Sequence, residues 1–132
     1  MKLTDRRIFE LPLEGCRQFL PGAEQVRDIH LTRIPGSEQQ VGGALVDIPQ
    51  RLVYHSPTGF EWGYGGSGPA DLALNILALF VHPAEAYRLH QAYKWDVIGG
   101  VPQVGATIAA ASVRAWLRER WEVEQEQERA RT

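Results

Sequence analysis

The chain has 132 residues, 44% of them hydrophobic, with 14 basic and 16 acidic side chains and a formal charge of −2. That length and apolar content suit one domain that buries its own core without covalent staples. The balance of charge, with no segment forming a basic arm, argues against nucleic-acid binding, which draws on a concentration of lysine and arginine.

In chain order, the N-terminal MKLTDRRIFEL is basic but has no apolar stretch of the kind an export signal needs. Cys16 is the only cysteine, so an internal disulfide and a thiolate-rich zinc site are both excluded. The expectation is a cytoplasmic protein. Short apolar pieces at Ile8–Phe9, at Ile29 and Leu31, and at Leu45–Ile48 are cut by Pro12, Pro21, Pro35 and Pro49, a pattern of short strands and loops. Leu52–Tyr54 and Phe60–Tyr64 flank Ser56-Pro57-Thr58-Gly59, whose proline and glycine suit a tight turn, and the expectation is a hairpin. Phe60, Trp62 and Tyr64 would then share one strand face, with at least two of them buried.

Gly65-Gly66-Ser67-Gly68-Pro69-Ala70-Asp71 reads as a helix start. Pro69 suits the first turn, where an N–H would have no partner, and Asp71 would add a carboxylate at the positive end. This predicts a helix over 69–82 with Gly65 or Gly66 at positive φ, apolar nearly all round except for a line through Asp71, Asn75 and His82. The longest apolar run, 72–81, is too short to span a bilayer, so no membrane association is expected. Pro83 opens a second helix, 84–98, with Ala86, Leu89, Tyr93 and Val97 on one stripe and Tyr87, Gln91 and Lys94 on another face. After Gly99–Pro102 a third helix starts near Ile108 or Ser112, buries Val113, Trp116, Leu117 and Trp121, and frays into a solvated tail over 122–132. The fold class is α+β: a small antiparallel sheet in the N-terminal half, residues 5–64, packed by about three helices in the C-terminal half, 69–125, in a single domain.

The segments HSPTGFEWGYGGSGPADLALNIL (55–77), YRLHQAYKWDVIGG (87–100) and SVRAWL (112–117) together resemble an uncharacterised domain family, a domain of unknown function, found in bacteria and their phages and plasmids. The resemblance runs over residues 55–117 and implies a shared α+β fold and a frequent home on mobile elements, but no activity. Asp71 departs from it, standing where that family commonly has a polar amide.

Gly63-Tyr64-Gly65-Gly66-Ser67-Gly68 fits the spacing of a dinucleotide loop, but Pro83 leads into another helix instead of the second parallel strand that such a unit needs. No lysine and Ser/Thr pair follows the glycines, so they do not form a P-loop either. Two readings of the turn stand. Its glycines let the aromatic strand pack close to the helix, or its free amides hold an anion at the helix N-terminus. His30, His55, His82 and His90 lack metal-ligand spacing, and Asp71 and His82 would lie about 16 Å apart along a helix, so no metal is expected. Cys16 and Ser67 have no nucleophile context, no catalytic residue is named, and no cofactor is implied. Trp95 and Trp116, like Tyr93, read as core aromatics. The candidate binding residues are Trp62, Tyr64, Gly65, Gly66, Ser67, Gly68, Asp71 and Lys94. They serve either a non-catalytic module that acts on a protein partner, plausible as an accessory or host-directed factor of a mobile element, or a small-ligand, nucleotide or anion binder with possible enzyme activity.

Overall fold

The computed structural model describes residues 16–36 and 43–131. Ile29-His30-Leu31-Thr32-Arg33-Ile34 alternates apolar and polar side chains, and the alternation becomes β1 (Ile29–Ile34), with Ile29 and Leu31 buried and His30 and Thr32 exposed. β2 (Gly43–Val46) pairs antiparallel with it, Leu31 opposite Val46 and Ile34 opposite Gly43. On the other edge of β1 lies β3 (Gly105–Ile108), also antiparallel, with Ile29 opposite Ile108 and Thr32 opposite Gly105. The sheet order is β2-β1-β3.

The α+β class holds, but the sheet draws its third strand from the C-terminal half. The expected hairpin does not form. The turn at Ser56–Gly59 is present, with Gly59 at φ 121° and the Ser56 hydroxyl donating to the Gly59 carbonyl at 2.8 Å, yet neither flank is a strand. The reason is the partner of the backbone. The N–H groups of Arg51 and Leu52 donate to Asn75 Oδ1, and Asn75 Nδ2 donates to the Leu52 carbonyl at 2.9 Å. The N–H groups of Tyr54, His55 and Ser56 donate to the carboxylate of Asp71. Side chains thus satisfy the groups that a ladder would have used. The expected strand at Ile8–Phe9 lies outside the described residues.

The helix that supplies these two side chains, α1 (Ser67–Leu77), begins two residues before Pro69. It ends at Leu77, short of the expected His82, in a turn where the N–H groups of Leu79 and Phe80 reach back to Ile76 and Leu77. Beyond it Val81 makes a bridge with Phe19. His82 is therefore not on α1: its Nδ1 accepts the N–H of Ala84 at 3.0 Å and caps α2 (Pro83–Asp96), whose first residue is Pro83 as expected. Ala86, Leu89 and Tyr93 of α2 are buried against α1 and a short 3-10 turn, Ile98–Gly100.

α3 (Ala110–Ala130) starts where Asp28 accepts the N–H of Ala110 at 2.8 Å, and it buries Val113, Leu117 and Trp121. It remains helical past the expected fraying point. Glu124 and Glu128 are tied to Arg17, and Glu124 also to Arg88, so the distal turns are held by ion pairs that apolar periodicity does not reveal.

Leu72, Ile76, Leu77 and Phe80 are fully buried, as the near-continuous apolar run predicts. Replacing Ile76 or Phe80 with alanine should cost roughly 2–5 kcal/mol. An unchanged urea midpoint for both variants would show that this surface is not packed.

Candidate functional site

The glycine turn follows a buried anchor. The Trp62 indole is fully enclosed and its Nε1–H donates to the carbonyls of Pro102 and Gln103, at 3.1 and 3.3 Å. The guanidinium of Arg33 lies 4.3 Å over its ring. Just beyond Trp62 the chain reverses at Gly63, which has φ 85° and donates its N–H to the Ile98 carbonyl at 3.0 Å. The positive φ thus falls on Gly63 and not on Gly65 or Gly66, because the reversal is needed where the chain leaves the buried indole.

Gly65 and Gly66 lie directly under two rings. A Cβ on Gly65 would stand 2.3 Å from the ring of Trp95, and one on Gly66 would stand 2.3 Å from the ring of Tyr64. Two large aromatic side chains therefore lie directly on the turn. Both look outward: Tyr64 is 52% exposed and Trp95 67% exposed. Beneath them Lys94 is buried, its ammonium donating to the Gly65 carbonyl at 3.1 Å and sitting 4.4 Å from the Trp95 ring centre. The turn is thus held from below by a cation and covered from above by two rings.

Of the three aromatics expected to share a strand face, Trp62 is buried, Phe60 is half-buried against the core and Tyr64 is exposed. Trp95 is the residue that sequence reasoning assigned to the core and the structure places in the site. A signal for it existed, since Trp95 stands four residues after Gln91 and so on the polar side of α2. Trp116, half-buried, meets Tyr93 edge-on and donates its Nε1–H to Asp96.

Asp71 is not part of the turn. It lies beyond the first helical turn of α1, fully buried, and its carboxylate is spent on the 54–56 amides and on Gln50 Nε2. Gly68 and Ser67 open the helix with no side-chain cap, Gly68 buried and Ser67 exposed. Glu61 packs on Gly68, its Cβ 2.8 Å from where a glycine Cβ would sit. The Arg33 hydrogen bond holds the Glu61 carboxyl below its ordinary value against the effect of burial, so that side chain is an anion beside the helix start. Together these contacts bring Trp62, Tyr64, Gly65, Gly66, Ser67, Gly68 and Lys94 to one end of α1 and leave Asp71 behind a different segment.

The histidines separate into three settings. His30 pairs with Asp47 at 2.6 Å on the exposed side of the sheet, His82 is a cap, and His55 and His90 bring their Nε2 atoms to 2.8 Å. That last pair joins residues 35 positions apart, which no local spacing could announce. Among the described residues no group of three or more His, Cys, Asp or Glu could hold a metal. Cys16 is buried, and burial, with the charge of Glu85, raises its thiol above the ordinary value, which disfavours the reactive thiolate.

No described helix is long and apolar enough to cross a membrane. No curated protein and no solved structure matches the chain. A family model does match, over residues 32–119, reaching upstream of the motif segments to take in β2 and part of β1. The chain belongs to that family, a family of unknown function designated DUF6166.

Proposed function

We propose that the protein is a non-catalytic binding module whose contact surface is the glycine turn with its two exposed rings, and that its partner is a protein. The observation that carries this reading is the pairing of Tyr64 and Trp95, each more than half exposed, over one glycine turn. Large aromatics on a rigid support give contact area at little entropic cost, and they recur among the residues that dominate protein–protein affinity. Acting inside the cell as an accessory or host-directed factor of a mobile element fits the motif resemblance of the 55–117 segments, on which that setting rests.

The test is capture from host lysate by wild-type protein, Tyr64→Ala and Trp95→Ala. Both side chains are largely solvent-facing, so melting temperature should stay within about 2 °C of wild type, while capture of a specific protein should fall at least tenfold, on the order expected for a binding hot spot. Undiminished capture by both variants would refute the surface.

A second reading draws on the uncapped start of α1, where the amides of Ser67 and Gly68 could hold a phosphate. The nearby Glu61 carboxylate and the commitment of Lys94 to a carbonyl weigh against it. A thermal shift with inorganic phosphate that disappears in a conservative Ser67 variant would favour it.

A further inference from the structure

We propose that His55 and His90 share one bridging proton and form an acid-sensitive clasp between the 50–59 segment and α2. His90 Nδ1 faces the Tyr87 carbonyl, which can only accept, so Nδ1 carries the hydrogen and Nε2 of the neutral ring carries a lone pair. The Nε2 of His55, 2.8 Å away, must then be the donor. The tautomer of each ring follows from one backbone carbonyl.

The ring centroids are 5.0 Å apart and the two nitrogens 2.8 Å, so both nitrogens lie nearly on the line between the rings. Their axes meet head-on instead of converging on a third point. That is the geometry of a shared proton and not of two ligands turned toward one metal ion. One added proton on the pair can leave the bridge intact, as an imidazolium N–H pointed at the other ring's lone pair. A second places N–H against N–H and charge against charge, and the bridge cannot survive it.

The surroundings set what the clasp fastens. Tyr54, beside His55, meets both the His55 ring and the Tyr87 ring edge-on, and Tyr87 Oη donates to Tyr54 Oη at 2.9 Å. Tyr87 in turn lies against His90, one turn away on α2. Two neighbours on the segment therefore grip two on the helix, and the histidine bridge is the titratable half of that grip. His90 is buried, and the groups acting on it are His55 from the segment, Asp71 from α1, and Tyr87 and Lys94 from α2 itself. Burial is the largest influence and lowers its proton affinity, Asp71 and the Tyr87 carbonyl oppose this, and the charges of His55 and Lys94 reinforce it. A histidine that takes a proton less readily folded than unfolded makes the fold lose stability as pH falls below the ordinary imidazole range.

The test uses the full-length protein. Two-bond proton–nitrogen NMR spectra at neutral pH should show His90 as the Nδ1–H tautomer and His55 as the Nε2–H tautomer. The opposite assignment, or two rings titrating as free imidazoles, would overturn the proposal. Hydrogen exchange of the 53–56 amides, corrected for intrinsic rate, should rise several-fold between neutral and mildly acidic pH in wild type. His90→Gln should remove most of that rise, because its amide oxygen can accept from His55 but does not titrate. Should that variant not fold, His55→Gln, whose amide can donate to His90, makes the same comparison. Equal pH dependence in wild type and in the folded variant would refute the clasp.

Discussion

Asp71→Ala should lower the stability of the protein by roughly 3–5 kcal/mol, since an unsatisfied buried donor costs about 1–3 kcal/mol and three backbone amides lose their acceptor at once. The carboxylate is fully buried and takes the N–H groups of Tyr54, His55 and Ser56 at 2.8–3.3 Å, with Gln50 Nε2 as a fourth donor at 3.2 Å. Asp71→Asn should fall between wild type and alanine: one oxygen remains, but the amide nitrogen would face N–H groups. Urea unfolding of the three proteins measures this. A loss below about 1 kcal/mol for the alanine variant would mean that water replaces the carboxylate and that the loop needs no anchor.

A comparable loss is expected from Glu85→Ala. Glu85 is fully buried and accepts from Arg88 Nε and Nη2 at 2.6 and 2.7 Å and from Trp121 Nε1 at 2.7 Å. Arg88 continues the network to Glu124 at 2.7 Å, and Arg17 joins it from the chain's described N-terminal segment. Removing one partner leaves a cation part-buried beside an unsatisfied indole, which costs about 3–5 kcal/mol in such networks. Replacing both charges at once, as Glu85→Leu with Arg88→Met, should cost less than Glu85→Ala alone, and a larger loss for the double variant would contradict this account. The same network gives the fold an acid limit. Burial alone would push the Glu124 carboxyl up, but the hydrogen bond and charge of Arg88, with the charges of Arg17 and Arg120, hold it below its ordinary value. A carboxyl with a lowered folded value contributes stability in full above the unfolded carboxylate range, near pH 4.3, and loses it as pH falls through the folded value.

What the sequence disclosed follows from the range of the forces involved. The three helices are written in local periods of apolar residues, and Pro83 marks a start that the structure places at that residue. β1 is likewise visible as alternation at Ile29 and Leu31. β3 is four residues, Gly105–Ile108, with no pattern of its own, and it becomes a strand only because β1 offers it an edge. The 52–64 segment misleads for the converse reason. Its aromatic alternation is real, but Asp71 and Asn75, polar residues on an otherwise apolar helix, claim the backbone of the opposite flank at Leu52, Tyr54, His55 and Ser56. Within the candidate site, the crowding of the glycines could be foreseen, whereas the rings that crowd them could be placed only once α2 was packed beside the turn. The His55–His90 bridge and the Glu85–Arg88–Glu124 network join residues whose distance along the chain hides them.

The position of β3 also orders events in time. A chain emerging from the ribosome can pair β1 with β2 early, since only a short connection separates them. It cannot cover the second edge of β1 until the chain beyond α2 has appeared, because Ile29 waits for Ile108. Through most of synthesis the central strand therefore carries a bare row of N–H and C=O groups, open to pairing with a neighbouring nascent chain. Closing that edge brings together parts of the chain that lie far apart, and such contacts form slowly compared with helices. The arrival of residues 105–108 is thus the step at which the central strand becomes paired on both sides, and the seam between β1 and β3 joins the N-terminal strands to the chain just ahead of α3.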